Sequence, residues 1–340
     1  MTVKVSKPAI NVREELADLR KPTGIAGEAM LRAETPQEQF QLIGASRKNM
    51  LLNGDFSIWQ RGTSGVTGYA SSNWKYAADR WKFYTRGNTG VGNFTKSTTE
   101  IDGVSYDAAY FQLTTGNSVG AAFLAQYIEG VAARGKHITF SFWYEHISGE
   151  YPSIRINGVG NNASATLVDG WNSITTKSNN TFSANGLYVG ISIPSANPCS
   201  FKFTHAQVEL GKVATPFEHR SYGEELALCQ RFFTRLPYVD NAASGYGPLA
   251  HGSGYSSSTI YATLVFPTMM RAAPTVTPTG SFRVVYGNQD VSGGQVAMLD
   301  TAQGSGLLRY IGGSSFTIGQ AVWISMNNDP DGGILMDAEL

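Results

Sequence analysis

The chain has 340 residues, of which 15% are charged and 38 are glycine, and its formal net charge is zero. A typical domain has roughly 25% charged residues, so this composition argues against a long charged coiled coil and favours a turn-rich β protein. A neutral chain offers no electrostatic footprint for nucleic acid, and no run of 18 apolar residues predicts a membrane-spanning helix. Residues 1–10 also lack the apolar segment of a secretory signal.

Residues 1–48 differ in kind from the rest of the chain. Asn11 and Thr35 each begin a capping box, with a glutamate three positions later, and each predicts a short helix. Two such helices cannot bury enough apolar surface to fold alone. They need a partner surface, and we favour anchoring of this segment to another protein over packing on the rest of the chain. The predicted anchoring residues are apolar and lie in the two helices: Val12, Leu16, Leu19, Phe40, Leu42 and Ile43.

Residues 49–220 contain short runs in which apolar and polar residues alternate. Gly, Asn and Pro clusters separate these runs, which is typical of antiparallel strands joined by turns. Several short strands at such intervals predict a β-sandwich of the jelly-roll type. The clearest runs are Ile138–Tyr144, Ser153–Asn157, Leu187–Ile193 and Phe201–Leu210.

A third capping box, from Ser221 to Glu224, predicts a linking helix over residues 221–233. Leu226, Cys229 and Phe233 follow at helical spacing, so we expect an apolar stripe packed between two β regions. Residues 234–340 return to a β pattern and predict a second, C-terminal β-sandwich. The predicted fold class is therefore mainly β, with short N-terminal helices, a jelly roll, a linking helix and a C-terminal β tip.

The two cysteines, Cys199 and Cys229, are too few and too far apart for a metal site. Two buried thiols are favoured, because cysteine is among the most buried residue types. A disulfide between them across the junction remains the alternative.

Two segments carry a resemblance to a known family. The stretch from Phe201 to Phe233, which includes Thr215-Pro-Phe-Glu-His-Arg-Ser-Tyr222, resembles a segment of tail-fibre and receptor-binding proteins of tailed bacteriophages. In those proteins it lies between a carbohydrate-binding-module-like jelly roll and a distal tip. Asn49–Gly62, followed by Ala78–Trp81, resembles the opening strand of the same jelly rolls.

The resemblance implies a virion protein of the phage tail that is made in the host cytoplasm. Its N-terminus would dock to another virion protein, a tail adaptor or nozzle, and a homotrimer is the usual symmetry of such fibres. Its C-terminal domain would face a host surface glycan or receptor. Jelly rolls of this type often hold a structural calcium near their terminal strands, which suggests ligands in Asn53, Asp55 and Glu209. The alternative is a turn at Asn53 and a local hydrogen bond at Glu209.

No catalytic pattern accompanies these features. A glycan depolymerase needs two carboxylates facing a groove, usually on a scaffold with a readable repeat, and no repeat is present. Asp79, Glu145 and Glu209 are isolated between apolar strands, and the histidines lack zinc-site spacing. We therefore predict a non-enzymatic adhesin. A structural head fibre or capsid decoration protein and a polysaccharide depolymerase remain the alternatives.

Aromatic residues are the predicted ligand surface. Tyr238, Tyr246 and Tyr255 lie in a Gly/Ser/Asn-rich stretch, residues 238–258, which we interpret as a binding loop. Most tryptophans, including Trp81 and Trp143, are expected in the core because they lie in apolar runs. Trp74, in a polar context, is the tryptophan predicted to bind ligand.

Overall fold

The computed structural model describes residues 48–339 except 63, 72, 86–90, 115–121, 130–132, 158–161, 180–186, 194–196, 238–245, 288, 314–315 and 330–331. The predicted virion-anchoring residues and Tyr238 lie outside the described residues. Within them the chain is mainly β, with one α-helix, which confirms the predicted fold class. None of the helical structure in this part of the chain is long and apolar enough to cross a bilayer.

Two six-stranded antiparallel sheets form a sandwich between residues 66 and 210. The first sheet has the order β1–β4–β5–β12–β7–β10, with strands Val66–Tyr69, Gly92–Ile101, Val104–Leu113, Cys199–Leu210, His137–Gly149 and Gly170–Lys177. The second sheet has the order β2–β3–β6–β11–β8–β9, with strands Lys75–Tyr76, Lys82–Thr85, Ala122–Ile128, Leu187–Ile193, Ser153–Asn157 and Ala163–Thr166.

The core of the sandwich comes from one face of each sheet. In β7, Phe140, Phe142 and Tyr144 are fully buried, as the period-two alternation predicts. Aromatic rings join the two sheets, with the ring centroids of Phe83 and Phe94 5.7 Å apart and nearly perpendicular. Large aromatic side chains thus supply much of the buried apolar surface.

The opening segment, residues 49–62, is not a strand, so that prediction is wrong. Asn53 and Phe56 have positive φ angles of 55° and 57°, which interrupt extended structure. The amide of Asn53 donates to the carbonyls of Ile58 and Asp79 and accepts from the backbone N–H of Ile58. These side-chain bonds replace those of a strand. The segment still contacts the last strand, because the N–H of Met50 donates to the carbonyl of residue 208 at 2.8 Å.

The predicted linking helix is present as α1, Tyr222–Gln230, and Ser221 caps it by accepting the N–H of Glu224 at 3.4 Å. Its buried face is more polar than an apolar stripe. Cys229 is buried, but so are Glu225 and Gln230, whereas Leu226 is only half-buried. The two thiols, Cys199 and Cys229, are free and buried, so they form no disulfide.

The C-terminal β region consists of a closed barrel and a small sheet. The barrel order is β14–β15–β19–β18–β17–β20, with strands Pro248–Gly254, Thr259–Val265, Ser305–Ile311, Gln289–Thr301, Phe282–Tyr286 and Ala321–Met326. The small sheet has the order β13–β21–β16, with strands Phe233–Leu236, Gly333–Asp337 and Thr275–Thr279. The predicted second sandwich thus takes a more closed form: β20 pairs with both β14 and β17, which removes the free sheet edges.

Candidate functional site

The outer face of the first sheet carries two adjacent tryptophans. Because Phe140, Phe142 and Tyr144 face the core, Trp143 must face outward. Strand β10 pairs with β7 so that Trp171 lies directly opposite Trp143. The centroids of the two indoles are 5.6 Å apart at 79°, and Trp171 is 51% exposed.

A tight turn fixes the position of Trp171. Gly170 has a φ of +92°, a conformation that favours glycine, at the first position of β10. The side chain of Asn172 then holds the turn by accepting from the N–H of Val168 at 3.0 Å and donating to its carbonyl at 2.6 Å. Trp171 therefore projects from a constrained backbone rather than from a free loop.

Trp143 lines a cleft of about 570 Å³ on this face, hereafter the cleft. The end of the β4–β5 hairpin forms one wall, and β7, β12 and the residues before β10 form the other. The lining residues are Thr98, Thr99, Glu100, Ser105, Trp143, Tyr144, Glu145, Asp169, Gly170 and Lys202.

Polar contacts within the chain orient two acidic groups of the cleft, Glu145 on β7 and Asp169 just before β10. Glu145 accepts a hydrogen bond from the hydroxyl of Thr99 and lies 3.4 Å from Nζ of Lys202. Asp169 accepts from the N–H of His146 at 2.6 Å and from the hydroxyl of Tyr151 at 3.1 Å. This last bond raises the pKa of Tyr151, so the phenol keeps the proton that it donates. The cleft thus presents fixed hydrogen-bonding groups beside an aromatic surface.

An aromatic stack that begins on β12, two strands away in the sheet, supports Trp171. The rings of Trp171 and His205 are nearly parallel with centroids 6.1 Å apart, and Phe217 stacks against His205 at 4.6 Å. Burial, with a smaller contribution from His219, lowers the pKa of His205 to about 4. The imidazole is therefore neutral at physiological pH and behaves as one more flat ring in the stack.

The prediction of a buried Trp143 is wrong, whereas Trp81 is fully buried as expected. The sequence alternation already indicated that Trp143 faces outward, since Ile138, Phe140 and Phe142 occupy the inward positions of β7. The exposure of Trp171 could not be derived in this way, because it depends on the register between β10 and β7.

The predicted tyrosine loop is not a single loop. Pro248–Gly254 is strand β14 of the barrel, and Tyr246 and Tyr255 lie just beyond its two ends. A seven-residue strand spans roughly 20 Å, so the two rings do not share one site. Tyr246 is 44% exposed with the guanidinium of Arg283 over its ring, and Tyr255 is 62% exposed. Trp74 lies elsewhere again, in the second sheet region, where its ring contacts Tyr84 at 4.5 Å.

The three predicted calcium ligands are engaged by donors of the chain itself. Asn53 accepts from the N–H of Ile58, as described above. Asp55 accepts from the N–H and hydroxyl of Ser57. Glu209 accepts from Gln207 at 3.0 Å and twice from Thr215, at 2.8 and 2.7 Å. Among the described residues, no group of three or more His, Cys, Asp and Glu side chains is placed to hold a metal. This arrangement fits the hydrogen-bonding alternative better than an oxygen cage.

Comparisons with known proteins gave matches among solved structures only. No protein-family model matches the chain, and no curated protein matches it. Among solved structures, the chain is similar to TmCBM61 in complex with β-1,4-galactotriose, at 16% identity over 49% of this chain and 100% of that chain, with a TM-score of 0.31. It is also similar to the C-terminal family 22 carbohydrate-binding module of Clostridium thermocellum Xyn10B, at 13% identity over 44% of this chain and 98% of that chain, with a TM-score of 0.29.

Proposed function

We propose that this protein is a non-catalytic glycan-binding protein and that the cleft with its neighbouring Trp171 is the binding site. The observation that carries the proposal is the half-exposed indole of Trp171, held beside Trp143 next to oriented carboxylates. The apolar C–H faces of sugar rings stack on indoles, while their hydroxyls form hydrogen bonds with carboxylates and amines.

The size and charge of the cleft limit the class of glycan that fits it. Its volume of about 570 Å³ is within the range of small-molecule sites, so it suits a short segment of a glycan chain. Its lining includes Glu100, Glu145 and Asp169 but only one cation, Lys202. A neutral or amino sugar therefore suits this site better than an acidic one.

A binding role is favoured over hydrolysis. In a glycosidase one carboxyl group must donate a proton to the scissile bond while the other activates water or attacks. Glu145 already contacts Thr99 and Lys202, and Asp169 holds His146 and Tyr151 in place. Such contacts suit fixed acceptors of sugar hydroxyl bonds. The depolymerase alternative predicts new reducing ends when the protein is incubated with host polysaccharide.

At a finer level, we propose that the protein is a tail-fibre or tail-tip adhesin of a tailed bacteriophage. The support is the resemblance of Asn49–Gly62 and Phe201–Phe233 to segments of such proteins. Trimeric assembly would compensate for weak single-site affinity, because linked sites bind with a high effective concentration. Residues 1–48 would supply attachment to the particle, and a head fibre or decoration protein without a host ligand remains the alternative.

Two experiments test the glycan-binding role and the virion role separately. The full chain, coupled to beads to mimic multivalency, is screened against neutral, amino and acidic host-surface glycans, with a reducing-end assay in parallel. We expect retention on neutral or amino glycans without release of reducing ends, and no retention on any glycan would contradict the binding role. For the virion role, deletion of residues 1–48 should abolish copurification with particles but preserve glycan retention. A truncated protein that still copurifies would contradict it.

A further inference from the structure

The outer face of the second sheet carries an aromatic surface, formed by Trp74, Tyr84, Phe123, Tyr127 and Tyr188. The rings form one connected cluster: Trp74 contacts Tyr84, Phe123 and Tyr127 edge to face at 4.5–6.1 Å. Tyr127 and Tyr188 stack at 4.8 Å with an interplanar angle of 16°. Phe123 is 8% exposed and the other four rings are half-buried, so each keeps part of its surface accessible.

The sheet beneath this surface is built from small residues. Ala125 and Gly190 pair with each other across β6 and β11. Lys82 pairs with Ala125 on one side and Arg155 pairs with Gly190 on the other, so these four residues form one row across four strands. A Cβ atom at Gly190 would lie 1.8 Å from the carbonyl oxygen of Leu124, so glycine is required there. Because Ala125 and Gly190 fill little space, the rings can lie over the sheet, and Phe123 and Tyr188 approach to 5.9 Å across this row.

The two cations of this row differ in their surroundings. The ammonium of Lys82 lies 3.9 Å from the centroid of Tyr127 and 5.3 Å from those of Trp74 and Tyr76, and the residue is only 6% exposed. Arg155, by contrast, is half-buried as a residue, although its Nε is buried and has no hydrogen-bond partner within the described residues. Lys82 thus supports the rings from below, whereas Arg155 is placed to meet a ligand at their edge.

Polar groups complete the surface. Tyr84, Tyr127 and Tyr188 add phenol hydroxyls to this surface, and each ring is packed against a neighbouring ring. Beyond Arg155, strands β8 and β9 present Ser164 and Thr166, both exposed, on the same face. Phenol and aliphatic hydroxyls next to ring faces are suited to a polyhydroxylated ligand, and a guanidinium binds a carboxylate in a planar, bidentate manner.

We infer that this aromatic surface is a second glycan-binding site and that its ligand is an acidic saccharide whose carboxylate binds Arg155. The inference adds a separate site to the proposed function and does not depend on the cleft. Charge separates the two sites, because the cleft is rich in carboxylates, whereas the positions of this row carry Lys82 and Arg155. The sandwich would therefore bind neutral or amino sugars on one sheet and acidic sugars on the other.

The test measures binding of two acidic probes, trigalacturonate and sialyllactose, and of neutral galactotriose to the full chain by calorimetry. We expect at least one acidic probe to bind, with affinity that falls as salt is added. Arg155→Gln and Tyr188→Ala should each weaken that binding at least tenfold. Trp171→Ala, on the opposite sheet, should leave it unchanged while weakening any neutral glycan bound in the cleft.

Thermal melting of each variant controls for folding. If Tyr188→Ala has a lowered melting temperature, the result with Arg155→Gln alone decides the test. Absence of binding by both acidic probes would overturn the inference, as would acidic binding that Arg155→Gln leaves intact. Sedimentation of the same variants tests whether the aromatic surface is instead a contact between subunits. Dissociation of an oligomer by Tyr188→Ala without any change in acidic binding would assign the surface to subunit contact and overturn the inference.

Discussion

Arg80 and Glu339 form a buried ion pair between residues 259 positions apart in the chain. Their side chains are 3% and 4% exposed, and Arg61 adds a second contact to Glu339 at 3.3 Å. Each arginine also lies over an aromatic ring that follows α1, with Cζ of Arg80 3.6 Å from the Phe232 centroid and Cζ of Arg61 3.6 Å from that of Phe233. These contacts fasten the end of the small sheet to the sandwich.

Glu339→Gln should destabilise the protein by about 3–5 kcal/mol, because it leaves a buried arginine without its anion. The matched control is Glu129→Gln. Glu129 pairs with Arg231 at 2.8 Å, but both side chains are more than 40% exposed. Loss of such a surface pair should cost about 0–1 kcal/mol. Urea unfolding measures both variants, and equal effects would contradict a special role for the Arg80–Glu339 pair.

Asp79 should make stability depend on pH. Burial raises the pKa of this fully buried carboxyl from its ordinary 3.8 to about 6, against the opposing effect of Arg61 and the hydrogen bonds from Gln60. Because the folded state binds this proton more tightly than the unfolded state, the free energy of unfolding should rise as pH falls from about 7 to 4. The stability of wild type relative to Asp79→Asn should increase by at most roughly 3 kcal/mol over that range. Unfolding curves at pH 7, 5.5 and 4 measure it, and a constant difference would contradict it.

The strands were largely predictable from sequence where alternation was local. Ser153–Asn157 and Leu187–Ile193 have the predicted boundaries, because turn residues flank each apolar run. Strand β14 was not predictable, since Pro248–Gly254 reads as a flexible stretch. It becomes a strand because β15 and β20 pair with it on its two sides. The composition of the segment itself does not indicate such long-range pairing.

The candidate site was less predictable than the fold. A cleft is assembled from residues that are distant in the chain, here Thr99, Glu145, Asp169 and Lys202. Each looks like an ordinary strand or turn residue until register places it beside the others. The same limit applies to Asn53, Asp55 and Glu209: their residue types suit calcium, but their hydrogen-bond partners could be known only from the structure.

Chelation tests the calcium prediction directly. Because the oxygens of Asn53, Asp55 and Glu209 already accept hydrogen bonds from the chain, we expect excess chelator to leave the melting temperature unchanged. A calcium present at 100 times its dissociation constant would instead contribute roughly 2.7 kcal/mol. A clear fall in melting temperature that added calcium reverses would confirm the predicted metal site.

Tyr246 and Tyr255 test the predicted receptor-binding role of the C-terminal region. Both are well exposed, so each alanine variant should change stability by less than about 0.5 kcal/mol. If both tyrosines bind the host, their effects on cell adsorption should be independent, because they lie at opposite ends of β14. Adsorption of purified single and double variants measures this. Unchanged adsorption of the double variant would remove the barrel tyrosines from the host-binding surface.

Calorimetric titration of Trp171→Ala with a glycan retained in the screen tests most directly whether a glycan stacks on Trp171. Trp323→Ala is the matched control, because Trp323 is 43% exposed on the barrel while Trp171 is 51% exposed beside the cleft. We expect Trp171→Ala to weaken binding at least tenfold, or about 1.4 kcal/mol, and Trp323→Ala to leave it unchanged. Equal affinity of wild type and a folded Trp171→Ala variant would contradict the account.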